Sequence, residues 1–169
     1  MSIKSLKIFA VCSVLTIVAS FVAANTSVVL NGTTSLPHNG YVMLRQPLIL
    51  AHGHYVAFNT PEVVKSQFPG VAFVKRLAGL PGDVVTSSND EVCINGECRK
   101  LEPALVAKGL LPLQSGIIPS GEYVVFGDSA DSLDSRYQII GTVKDSDIQA
   151  AGWPINIPHW KEIEKWMHG

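Results

Sequence analysis

Val71-Ala-Phe-Val-Lys-Arg-Leu-Ala-Gly-Leu-Pro-Gly-Asp83 decides the reading of this chain. Val71 to Ala78 is mostly apolar and is closed by Gly-Leu-Pro-Gly, the pattern of a buried strand ended by a turn. One lysine, Lys75, lies inside it. On a strand its neighbour Arg76 points to the opposite face, so Lys75 shares its surroundings with apolar side chains. Desolvation disfavours the ammonium and lowers the lysine pKa, which makes a buried lysine a usable base. A base implies a group to deprotonate, and a serine hydroxyl needs one to act as a nucleophile.

Outward from this stretch the chain alternates short apolar runs with Gly and Pro turns. Tyr41 to Arg45, Tyr55 to Phe58, Asp83 to Thr86, Val92 to Cys98 and Glu122 to Phe126 read as strands, and Gly141 to Val143 as a further pairing segment. Val28 to Leu30 is apolar and β-branched. Thr60-Pro61 predicts a short helix over Pro61 to Phe68, with Thr60 as N-cap and Pro61 at the first position. Leu101 to Leu113 is ambiguous. Lys161 to Met167 predicts a terminal helix with Trp160 and Trp166 as amphipathic anchors. Short strands with frequent turns favour a mainly β fold.

Cys93-Ile-Asn-Gly-Glu-Cys98 carries the strongest short hairpin signal, an Asn-Gly type I′ turn. Ile94 and Glu97 then pair beside the turn, and Cys93 and Cys98 form the next cross-strand pair, within disulfide reach. A bridge there points to an oxidising compartment. A metal site is the rival, but two cysteines do not complete a zinc shell and no His is near in sequence.

Ile8 to Ala24 is an uncharged apolar run of seventeen residues, at the short end of a membrane span. Lys4 and Lys7 precede it and the next Lys or Arg is Arg45, which places the N-terminus in the cytoplasm and the rest across the membrane. Two readings stand: a retained anchor, or a cleavable signal peptide with small residues at Val22-Ala-Ala24. The expected organisation is residues 1–25 as anchor or signal peptide and 26–169 as the exported domain. Cys12 reads as a packing residue of the apolar run.

The Lys75 segment, Asn31-Gly-Thr-Thr-Ser-Leu-Pro37 around Ser35, and Gly127-Asp-Ser-Ala-Asp-Ser-Leu-Asp-Ser-Arg-Tyr137 together resemble the signal peptidase I (S26) family of Ser-Lys membrane proteases. Within it they look most like the TraF-type peptidases of conjugative transfer. The resemblance covers about Asn31 to Val143. It implies a signal-peptidase-like antiparallel β domain with an N-terminal transmembrane helix. It also implies Ser35 as nucleophile and Lys75 as base. Thr33, two residues before the serine, would be a second oxyanion donor beside the Ser35 N–H. Ser132 would bond the lysine, and Asp134 and Arg136 would form the supporting Asp-x-Arg pair. Asp134 is also the match for the acidic third residue of TraF-type enzymes. The third segment is one residue shorter than the family pattern and has Ser129 and Ala130 where Asn and Arg are common, so its register before Ser132 stays open.

The implied activity is serine endopeptidase action on exported precursors in a bacterial inner membrane, with the catalytic domain periplasmic. The TraF-like serine segment, compact size and lack of a second domain point to prepilin as substrate, with cyclisation as one outcome. A general signal peptidase I and a non-catalytic assembly protein of the transfer apparatus are the alternatives. No cofactor or metal is expected: the Asp128, Asp131, Asp134 spacing lacks the features of a calcium loop, and His52 and His54 read as loop residues. The formal net charge of -1, without a basic run, argues against nucleic acid as partner. There is no Gly-x-Ser-x-Gly elbow, phosphate loop or zinc signature. Self-cleaving LexA-like repressors share the dyad but carry a DNA-binding domain.

Overall fold

The computed structural model describes residues 3–31, 35–45 and 49–168. α1, Ile3–Asn25, is an apolar helix, long enough from Lys4 to Asn25 to cross a membrane and not buried against the rest of the chain. β1, Thr26–Leu30, follows with no linker. β2 is Gly40–Arg45, β3 Tyr55–Asn59 and β4 Ala72–Gly79. β5, Val84–Ser87, β6, Glu91–Ile94, and β7, Glu97–Lys100, come next. A single helical turn, α2, Pro103–Val106, interrupts the strands. β8, Gly116–Ile117, β9, Glu122–Phe126, β10, Val143–Lys144, and β11, Ile148–Ile155, complete them. α3, Trp160–His168, ends the described chain.

Two antiparallel sheets result, a seven-stranded one in the order β1-β2-β11-β3-β4-β9-β10 and a four-stranded one in the order β7-β6-β5-β8. The mainly β expectation holds. β4 is interior to the larger sheet, between β3 and β9, and its apolar residues have core to pack against. Its apolar side chains Phe73 and Leu77 join Val56, Phe58, Val64 and Val125 in one core cluster. A second cluster around Val92, Ile94, Val124 and Tyr137 binds the smaller sheet to the larger. A third, of Leu36, Tyr41, Met43, Tyr55, Ala57 and Ala150, underlies the segment that bears Ser35.

The Asn95-Gly96 hairpin forms as expected, with both residues at positive φ. Cys93 pairs with Cys98 across it at a Cα separation of 3.9 Å, and the two are disulfide-bonded. Glu91 lies beside the sulfurs, but bridged cysteines offer no thiolates to a metal.

Some segments differ from expectation. Pro61 to Phe68 is a short 3-10 turn over Glu62–Val64 followed by further turns, not one helix. Thr60 does not cap it: its hydroxyl donates instead to the Val71 carbonyl, tying the start of β4 to this loop. β11, in the middle of the larger sheet, has no counterpart among the expected strands. It holds Gly152 because a Cβ there would meet the Val42 carbonyl oxygen at 1.8 Å. His52 binds Asp83 at 2.7 Å and His54 stacks edge-on against Trp153, so both are committed within the fold.

Candidate active site

Lys75 is only 7% exposed although it lies on a strand that ends in solvent-facing turns. Its Nζ donates a 2.9 Å hydrogen bond to Ser132 Oγ, itself buried. Burial holds the lysine pKa below its ordinary value. The Asp134 carboxylate acts against this by favouring the ammonium, as to a lesser degree do Asp131 and Asp128, while the Arg136 charge reinforces it. The Phe73 ring stands 5.8 Å from Nζ.

Ser132, in the shortened third segment, is the residue whose hydroxyl meets the lysine. Its place is held from behind. Asp134 Oδ2 accepts the Gly127 N–H at 2.7 Å, and Oδ1 accepts the Arg136 N–H at 3.0 Å. The Arg136 guanidinium pairs with both carboxylate oxygens at 2.9 Å. Its remaining N–H groups go to the carbonyls of Lys100, Ala130, Ser129 and Ser132. Asp134 is fully buried and Arg136 nearly so. A buried pair with this many hydrogen bonds is the case in which Coulomb attraction offsets desolvation. Asp134 therefore contacts Arg136 and the backbone, and no direct bond runs from it to Lys75 among the described residues.

The same loop grips the Ser35 segment. The Ser35 carbonyl accepts the Asp128 N–H at 2.8 Å and the Ser129 N–H at 3.3 Å. Asn31 closes the segment from the other side: its amide donates to the carbonyls of Leu36 and His38 at 3.0 and 2.8 Å. Ser35 and Lys75, forty residues apart in sequence, thus line one cleft of about 390 Å³ together with Ser129, Asp131 and Ser132. Its walls are apolar, from Val29, Leu30, Phe73, Val74 and Leu133. Thr33 lies outside the described residues.

A family model described as "Signal peptidase, peptidase S26" matches residues 2–153. The chain belongs to the S26 signal peptidase family. It is similar to signal peptidase I U of Bacillus subtilis, 39% identical over 84 residues, covering 44% of this chain and 44% of that protein. It is likewise similar to the probable signal peptidase I-2 of Synechocystis, 35% identical over 95 residues, covering 56% of this chain and 42% of that one. A crystal structure of a signal peptidase I from Enterococcus faecalis aligns at 28% identity with a TM-score of 0.37, covering 59% of this chain and 93% of that one. The chain spans about half the length of the curated relatives it matches.

In this S26 chain further residues shape the cleft; Asn31, Gly127 and Ser129 lie inside the motif segments, but the sequence assigned them no individual role. Gly127 passes so close to Ser132 that a side chain would displace it. Asn31 braces the serine segment. The Ser129 hydroxyl is buried at the cleft with no partner among the described residues. Tyr41 also reaches the cleft. Burial, then the neighbouring Tyr55, pushes its phenol well above the ordinary range, so it stays protonated and is no rival base. A lysine whose pKa is lowered by burial, lining the same apolar cleft as a serine, suits acyl transfer.

Proposed function

We propose that this S26 chain is a membrane-anchored serine endopeptidase. Ser35 attacks the peptide carbonyl to give an acyl-enzyme, and neutral Lys75 takes the hydroxyl proton. Ser132 orients the amine through the hydrogen bond it accepts. Asp134 serves as a structural acid that, with Arg136, fixes the loop between Lys75 and Ser35. The Ser35 N–H and the Thr33 hydroxyl stabilise the oxyanion. Lys75 returns its proton to the leaving amine and then activates the second nucleophile. The observation that carries the reading is the burial of Lys75, hydrogen-bonded to Ser132, in the cleft that also contains Ser35.

The proposed substrates are exported precursors with small residues at the scissile bond, bound in the shallow apolar cleft, at the outer face of a bacterial inner membrane. The TraF-like serine segment favours a conjugative pilin. An acyl-enzyme can be resolved by water, or by an amine to close a ring. A general signal peptidase I role is the second reading, favoured by the names of the curated relatives. Intact-mass measurement of a candidate pilin, with and without the protein, separates these outcomes: cleavage alone, or cleavage with loss of one further water. Ser35→Ala and Lys75→Ala must each abolish the change. Accumulation of many secretory precursors on depletion would favour the general role.

A further inference from the structure

Among the described residues that line the cleft, Lys75 and Asp131 carry charge. Lys75 is buried and held by Ser132. Asp131 is its opposite. It is exposed and makes no hydrogen bond or ion pair among the described residues, although it stands next to Ser132 in sequence. The nearby cations are occupied. Arg136 is spent on Asp134 and four carbonyls, and Arg76 pairs with Asp128 at 3.3 Å. The remaining lining among the described residues is apolar or uncharged, so a bound chain meets a carboxylate that feels Lys75 and Arg136 but is in no direct ion pair.

We propose that Asp131 is a specificity-determining residue, selecting substrates with a lysine or arginine within a few residues of the scissile bond. The inference rests on the peptidase reading and adds a charge requirement to the small-residue preference. A bound chain excludes water from the cleft, which strengthens the attraction over that of an ordinary surface pair. A cationic side chain is the group that matches a carboxylate at an apolar rim, because its stem lies on the wall while its head reaches the oxygen. Asp131 has no structural partner to lose, so its replacement leaves the Arg136 network intact.

The test uses the full chain in detergent with Ala-rich peptides. Each carries Lys, norleucine or Glu at one of three positions on either side of the scissile bond. At one position the Lys peptide should be cleaved about 3–10-fold better than the norleucine peptide in kcat/KM, and this ratio should shrink at high salt. Asp131→Asn should bring the ratio near one, and Asp131→Lys should invert it in favour of Glu. Because the readout is a ratio within one variant, general losses of activity cancel. Cleavage with no charge preference at any position, or a preference unchanged in Asp131→Asn, would overturn the inference. If the wild type cleaves none of the peptides while Ser35→Ala also leaves a natural precursor's processing unchanged, the peptidase reading falls, and this inference with it.

Discussion

A Cβ on Gly127 would lie 2.1 Å from Ser132 Oγ, the atom that receives the Lys75 hydrogen bond. The close approach ties the position of the lysine amine to a backbone atom in the third segment. Gly127→Ala therefore has to push Ser132 away from Lys75. The expected result is a fall of about 10²-fold in kcat/KM, the scale of a small misplacement of catalytic groups. Overpacking should cost about 1–3 kcal/mol of stability. Peptide kinetics alongside thermal denaturation check both; wild-type kcat/KM in a folded Gly127→Ala protein would detach Ser132 from the mechanism.

Asp134→Asn should destabilise by about 3–5 kcal/mol, because it leaves the buried Arg136 charge without its counter-ion. The denaturant midpoint of the full chain in detergent reads this directly. A change under about 1 kcal/mol would mean that the pair is not the prop of the loop.

The Cys93–Cys98 bridge closes a short loop at sequence separation 5, so it should contribute only about 2 kcal/mol. The hairpin is no part of the cleft lining. The double variant Cys93→Ser/Cys98→Ser is expected to melt earlier yet cleave peptide at the wild-type rate while folded. Thiol alkylation should find both cysteines blocked before reduction. Loss of cleavage in the folded double variant would place the smaller sheet in the substrate path.

Burial lowers the Lys75 pKa in the folded state. Between that lowered value and the ordinary ~10.4, the unfolded chain holds the proton and the folded chain does not. Stability then rises with pH through this window and is lower beneath it. Lys75→Met removes the dependence. It should be more stable than wild type near pH 7, with the gap closing toward pH 10. Thermal midpoints of both proteins from pH 6 to 10 test this, and a pH-independent gap would argue against a depressed lysine.

The sequence carries β4, the hairpin and the three site segments because each depends on local chemistry: an apolar run, an Asn-Gly turn, a motif. β11 is silent for the same reason. Gln149-Ala-Ala-Gly-Trp-Pro154 has no β-branched run and carries both Gly and Pro. Its strand character comes from its neighbours. β2 and β3 pair with it on both sides up to Gly152, and Pro154 lies where the β3 ladder has already ended. The Pro61–Phe68 segment forms turns around Glu62–Val64 with no side-chain cap, and the Thr60 hydroxyl donates to the Val71 carbonyl. In the site, residue types are legible but their contacts are not. The bonds from Asn31 to the serine segment and the Gly127 approach to Ser132 arise only when distant loops meet.

The most direct measurement is the pH dependence of kcat/KM on a pilin-derived peptide, with the chemical step rate-limiting. If Lys75 is the base, only its neutral form accepts the Ser35 proton. At the ordinary pKa roughly one lysine in 10³ would be neutral near pH 7. Burial lowers that pKa, so the rate should climb from pH 6 and level off through a group titrating below ~10.4. A profile flat from pH 6 to 10 would contradict Lys75 as the base that activates Ser35.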